Sequence, residues 1–188
     1  IYWNKILGYK FKIKNYIHNV FEIFSEAIKT NQNFYLKNKE LDVSQIKKDL
    51  VNHWNDIVKD ASNKNKDKTE MNIYKNYKEN CAKKIKNILN YEDLMTYLLT
   101  NEYKGCFIDF KVLSLLYNVN VVFLLKTIKK NDKSYTIVKS NQSTFYILVY
   151  ESIINNQSIY NLIGIKNKFL FHLNELSPKF REEVLLIN

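Results

Sequence analysis

The stretch GCFIDFKVLSLLYNVNVVFLLKT, from Gly105 to Thr127, decides the fold. Phe107, Ile108, Phe110, Val112, Leu113, Leu115 and Leu116 recur at helical spacing, which predicts a helix over Phe107 to Tyr117, ended by Asn118. Val119 to Leu125 is then a nearly unbroken apolar run of strand length, the pattern of a strand covered on both faces. Further β-rich runs follow at short intervals: KSYTIVKS, STFYILVYES and SIYNLIGIKNKFLFHLNELSP, the last ending at Pro178. Clusters of Asn, Asp, Ser and Lys separate them. One helix therefore feeds a central sheet, over residues 105 to 178.

Working back toward the start, Tyr91 to Leu99 reads as a short helix and Met71 to Leu89 as a longer one, with Ile73, Tyr77, Cys81, Ile85, Ile88 and Leu89 on its apolar face. Asp60 to Glu70 (DASNKNKDKTE) carries no large apolar residue and is expected to be an exposed loop. Asp42 followed by Gln45 has the spacing of a capping box, opening a helix whose core face is Val43, Ile46, Leu50, Trp54, Ile57 and Val58. Thr30 to Glu40 is polar loop with Phe34, Tyr35 and Leu36 tucked in. His18 to Lys29 is a helix with a stripe of Val20, Phe21, Ile23, Phe24, Ala27 and Ile28. Ile1 to Lys14 alternates loosely, as a strand or an irregular arm would. At the other end, Ser177 before Pro178 is an N-cap with proline at the first helical position, opening a last helix to Leu186. The expected fold is α+β: residues 1–188 as a single domain, with a central, mostly antiparallel sheet flanked by helices.

The chain has 188 residues, 46% of them hydrophobic and 14% aromatic, enough for one domain with a packed core. No apolar run reaches the roughly 18 residues that a membrane span requires, and no signal peptide is visible. The net charge of +10 invites a nucleic-acid partner, but the 29 basic residues are 28 Lys and only Arg181. Base edges and phosphates are read best by Arg. Lys, Asn, Ile, Tyr and Phe are also the residues of A+T-rich codons, so base composition accounts for the charge and nucleic acid is not the expected partner. Two cysteines, Cys81 and Cys106, give no disulfide framework, so a reducing, intracellular setting is expected.

Few residues promise chemistry. Cys106 follows Gly105 and precedes a helix, where a thiol would become more acidic and more nucleophilic; the alternative is a small, half-buried residue. Cys81 lies on the apolar face of its helix, as a core residue would. His172 and Asn174 are spaced to share one face of a strand, as a base and its orienting partner are. His53 beside Trp54 has no such partner and reads as structural. The two cysteines and three histidines are scattered without close ligand pairs, and with three glycines the chain builds no phosphate loop. No metal and no cofactor are expected.

Lys104-Gly105, followed by the run from Ile108 to Val119 (IDFKVLSLLYNV), resembles the OTU (ovarian tumour) cysteine-protease family in the divergent form carried by large DNA viruses. Those domains have a Trp-Gly-like pair and then a helix of the type E-x-x-A-L-S-x-L-Y-x-V. Their closing segment, H-Y-x-L-I, a hairpin and F-x-x-x-x-L-P, is similar to Ile159-Tyr160-Asn161-Leu162-Ile163-Gly164 and then Phe171 to Pro178. The resemblance covers about residues 100 to 186 well and the first half weakly. It implies a fold whose active members cleave ubiquitin conjugates with a Cys nucleophile, a His base and an Asp or Asn that orients it.

The nucleophile of that family opens a helix in a D-G-N-C-L-F-R-A-I-S-like motif, and the comparable stretch here is His18 to Ile28. The register puts Asn19 or, shifted by one, Val20 at the nucleophile position. Ile159 stands at the base position, and Asn161 keeps the third. The resemblance thus implies a catalytic centre that has been lost. The module would bind ubiquitin or another protein, or serve as a folded piece of a larger viral protein in the host cytoplasm or virion. The alternatives are an active deubiquitinase using Cys106 or Cys81 with His172 and Asn174, and a basic nucleic-acid-binding domain.

Overall fold

The computed structural model describes residues 2–8, 10–14, 19–30, 41–81, 85, 87–125, 135–155 and 157–186. The elements run α1 (Tyr2–Leu7), β1 (Lys12–Ile13), α2 (Val20–Lys29), α3 (Val43–Asp60), α4 (Lys66–Cys81), α5 (Tyr91–Leu99), α6 (Phe107–Leu116) and β2 (Asn120–Leu125). Then come β3 (Tyr135–Val138), β4 (Phe145–Ile154), β5 (Gln157–Gly164), β6 (Leu170–His172), a 3₁₀ turn (Leu173–Glu175), α7 (Pro178–Phe180) and a wider π turn (Arg181–Leu185). The strands form one sheet in the order β1-β5-β4-β2-β3, with β6 also paired to β4. Only the β2–β4 pairing is parallel among those described, so the sheet is mostly antiparallel and the class is α+β.

Strand alternation divides the core in two. Val121, Phe123, Ile147, Val149 and Leu162 face the layer built by α2 to α6. Val122, Leu124, Tyr146, Leu148 and Ile163 face α1, α7 and the π turn. Phe110 of α6 joins the larger half. Its ring stands edge-on to Phe123 of β2 at 4.7 Å and to Tyr160 of β5 at 5.1 Å, with Phe24 of α2 at 6.0 Å. Such aromatic pairs add roughly 0.5–1.5 kcal/mol each beyond the burial of their surface.

Most of the helical stripes pack as their periods require. Val20, Phe21, Ile23, Phe24, Ala27 and Ile28 of α2 are all buried. Asp42 caps α3 through the Gln45 amide at 2.7 Å, although the Gln45 side chain turns forward to Asp49 and no closed box forms. Asn118 ends the helix before β2 in the left-handed conformation, φ 49°. Ser177 accepts from the Phe180 amide with Pro178 at the first helical position.

Six expectations are corrected. The helix read as Met71 to Leu89 is α4, Lys66–Cys81, and Leu89 lies beyond it, 76% exposed. The first segment is a helix, α1, before the short strand β1, because Trp3, Ile6 and Leu7 fall on one helical face and are buried. The exposed stretch Asp60 to Glu70 is a loop only from Ala61 to Asn65, since Asp60 ends α3 and Lys66 to Glu70 open α4. Charged residues suit a solvated first turn, and Lys66 pairs with Glu70 at 4.0 Å. Leu115, Leu116 and Ile57, expected in the core, are 49%, 38% and 37% exposed, each in the last turn of its helix. The closing helix is a short turn, α7, that widens into the π turn before Leu186 turns left-handed. Cys81 and Cys106, read as two separate thiols, are joined by a disulfide, with Cα atoms 6.1 Å apart. The loop reading of Asn31 to Glu40 lies outside the described residues, as does His18.

Candidate functional site

Of the residues singled out by the sequence, Asn19, Val20, Gly105 and Cys106 come together where the N-termini of α2 and α6 meet. Asn19 is the N-cap of α2: its side-chain oxygen accepts from the Glu22 amide at 2.9 Å, and its own amide donates to the Glu22 carboxylate at 2.8 Å. Val20 is 1% exposed, and its amide donates to the Lys104 carbonyl at 3.2 Å. That bond lays Lys104-Gly105 across the first turn of α2. Gly105 has φ +82°, and a Cβ there would sit 2.6 Å from two Val20 carbons, so both the backbone angle and the close approach demand glycine.

Beyond Gly105, Cys106 caps α6 and Asp109 occupies the third helical position. The fully buried Asp109 carboxylate accepts from the Cys106 amide at 2.7 Å, from the Tyr103 hydroxyl at 2.5 Å and from the Tyr77 hydroxyl at 2.7 Å. Trp54 donates to the Tyr77 oxygen at 3.0 Å. The Lys47 ammonium donates to the carbonyls of Tyr103, at 2.9 Å, and of Thr100. Burial, and after it the neighbouring Asp109 charge, hold the Tyr77 and Tyr103 hydroxyls well above the usual tyrosine range. Burial pulls Lys47 down, as does Lys104, against the opposing pull of Asp109. One carboxylate thus gathers α3, α4, α6 and the turn before α6. Sequence reading missed this hub, although a carboxylate three residues after a cap was its available signal. The signal at Lys47 was its place on the apolar side of its helix, with Val43 four residues before it and Leu50 and Val51 three and four after.

The two cysteine sulfurs are bonded to each other, so in this state neither is a thiolate nucleophile. His172 lies at the far end of the sheet. It pairs with Phe145 at the start of β4, and its Nδ1 accepts from the Asn174 amide at 3.3 Å, capping the 3₁₀ turn. Asn174 belongs to that turn and not to a strand. Cys106 instead adjoins Phe107, whose ring lies 5.7 Å from Phe123, the partner of Val149. From Val149 to Phe145 is roughly 13 Å of strand. The structure therefore does not bring Cys106, His172 and Asn174 together.

Ile159 and Asn161 lie in β5, opposite Ser152 and Tyr150. They alternate with Tyr160 and so share the sheet face turned away from α2, with Asn161 donating to the Lys14 carbonyl at 3.2 Å. Tyr160 is the residue that β5 turns toward α6. His53 is half-buried with its ring 5.4 Å from that of Trp54; burial lowers its pKa, against the raising effect of Asp56. Beside α2, an open cleft of about 410 Å³ is lined by Glu22, Ser25, Glu26, Lys29, Asp42 and Lys47, among others. Among the described residues no three His, Cys, Asp or Glu side chains cluster to hold a metal ion, and no helix is long and apolar enough to cross a membrane. Exposed lysines stand on both sides of the sheet, from Lys5 and Lys179 on one to Lys48, Lys59, Lys75 and Lys111 on the other.

No family model matches the sequence, and no curated protein does. Two solved structures resemble the chain. One is the OTU domain of OTUD1, with 9% identity over 86% of this chain and 91% of that one, at a TM-score of 0.48. The other is the viral OTU domain protease from Dera Ghazi Khan virus, with 14% identity over 81% and 80%, at a TM-score of 0.41.

Proposed function

We propose that this chain is an OTU-like module that binds ubiquitin, or another protein, without cleaving it. Asn19 carries the reading. The sequence resemblance puts the family's nucleophile at the N-terminus of α2, and there the chain offers a carboxamide already committed to its helix cap. A carboxamide cannot attack a carbonyl as a thiolate does. The register shifted by one offers Val20, which is buried against Gly105. At the base position, Ile159 has no proton to exchange. As a member of the viral form that it resembles, the module would act in the host cytoplasm or the virion. Lysines spread over both sides of the sheet speak against a nucleic-acid footprint, which needs them on one face.

Di-ubiquitin cleavage, run in reductant so that both cysteines are free, tests the reading. No product is expected from the unmodified chain or from Cys106→Ala, Cys81→Ala and His172→Ala. Turnover that one cysteine change abolishes would establish an active protease instead. Titrating isotope-labelled ubiquitin with the chain is expected to shift a contiguous set of ubiquitin amide signals. Unmoved signals would leave ubiquitin out as the partner and favour another protein.

A further inference from the structure

We infer that the Cys81–Cys106 bond is a redox-sensitive clasp that holds α4 over the buried carboxylate of Asp109. The inference rests on where the bond lies. Cys81 is the last residue of α4 and Cys106 the cap of α6, so the bond ties the end of one helix to the start of another. α4 has few other buried anchors. Over its 16 residues it buries only Ile73, Tyr77 and Cys81, spaced four apart on one stripe, whereas the 10 residues of α2 bury seven. An element with so few buried side chains is the first to open in a local fluctuation. Two of its three anchors converge on one place: Tyr77 bonds Asp109, and Cys81 bonds the residue whose amide also bonds Asp109. Removing the S–S bond leaves α4 held by Ile73, by the buried ring and hydroxyl of Tyr77, and by the bonds of Tyr74 and Lys78 to the carbonyls of Ile88 and Ile85.

The chemistry is a thiol–disulfide exchange. In the reduced chain, one cysteine thiolate attacks a sulfur of a small organic disulfide such as oxidised glutathione, and a thiolate leaves. The second cysteine thiolate then attacks the protein sulfur of that mixed disulfide and expels the other half. Two electrons pass to the small disulfide, which becomes two thiols, and the two cysteine protons end on them. The reverse reaction with a dithiol opens the clasp. Cys81 and Cys106 are 4% and 7% exposed, so either reaction proceeds through the opened form of α4. Opening uncovers Asp109 and Tyr103 beside the first turn of α2, which Lys104 touches through Val20. The oxidation state thereby sets whether the helical layer is closed at that point. This does not depend on whether the module binds ubiquitin.

Hydrogen exchange of the full chain, equilibrated in oxidised or in reduced glutathione, tests the clasp. Reduction is expected to speed exchange across residues 66–81 by roughly tenfold to a hundredfold while α2 and the sheet hold their protection, and to lower Tm by roughly 6 to 12 °C. Cys81→Ser is expected to show the reduced pattern in both buffers. Alkylation in denaturant keeps the test independent of that variant's folding. Two modified thiols in the oxidised chain would mean that no bond forms and would overturn the clasp. A bond whose reduction leaves the exchange of residues 66–81 unchanged, or speeds the whole chain equally, would make it an inert staple and overturn the clasp as well.

Discussion

Two helices of ten residues begin side by side, each with a carboxylate three residues on that takes the cap residue's amide, and use that bond differently. At α2, Asn19 and Glu22 exchange hydrogen bonds within one turn, and the box serves that helix alone. At α6, the Cys106 amide and Asp109 repeat half of that arrangement, but the carboxylate is fully buried and takes two tyrosine hydroxyls from elsewhere. The local pattern is common to both. What separates them is solvent: the first cap competes with water, so its loss is small, whereas the second has no water to replace a missing partner. The cap of α6 has become the polar centre of the helical layer.

The strongest way to break the contrast is Asp109→Ala. It strands the Tyr77 and Tyr103 hydroxyls and the Cys106 amide in the core, and a loss of about 4 kcal/mol is expected in urea unfolding. A loss below about 1 kcal/mol would mean that Asp109 is no hub. Next comes Gly105→Ala, which imposes a left-handed backbone on alanine and drives its Cβ into Val20. A cost of about 2–3 kcal/mol is expected, with weaker near-ultraviolet dichroism as α2 is pushed from α6. An unchanged melting curve would show that the two helix starts are not in contact.

High pH sharpens the difference further. Tyr77 and Tyr103 have pKa values raised in the folded chain, so the stability tied to their protonated forms is complete below the unfolded tyrosine pKa. It is lost as pH rises above about 10, where the unfolded chain releases those protons and the folded chain does not. The expected slope approaches about 1.4 kcal/mol per pH unit for each of the two tyrosines. Tyr103→Phe is expected to flatten it, and an equal slope in that variant would assign it to other groups. The smallest effect belongs to the cap of α2, where Asn19→Ala is expected to cost about 1 kcal/mol. Asn19→Cys is expected to keep the fold and to remain inactive on di-ubiquitin, because Ile159 lies on the other face of the sheet. Turnover by that variant alone would show a base within reach that the fold does not suggest.

How much of this was legible in advance varies with range along the chain. The cap at Ser177 and the stripe of α2 rest on residues three or four apart and stand where the spacing put them, and α5 has the extent read for it. β2 is buried along nearly its whole length, as its unbroken apolar run required. The opening of α4, Lys66 to Glu70, escaped notice because it carries no apolar residue, whereas Ile73, Tyr77 and Cys81 mark the rest of the helix at a spacing of four. The candidate site was legible in part. Asn19 and Gly105 were picked out and lie at one place, whereas Asp109 and Lys47 passed as ordinary charges.

The amino-acid sequence by itself determined the class of fold, the central helix and the strand it feeds, and the amide at the start of α2. These follow from periodicity and local caps, whose energies depend on neighbours a few residues away. Only the tertiary structure decided that β2 lies parallel to β4, that Ile159 turns away from α2, and that Cys81 meets Cys106 across 25 residues. It alone buried Asp109 between two tyrosines. Each of these requires distant segments to close on one another, and no local spacing records which of the possible closures the packed core selects.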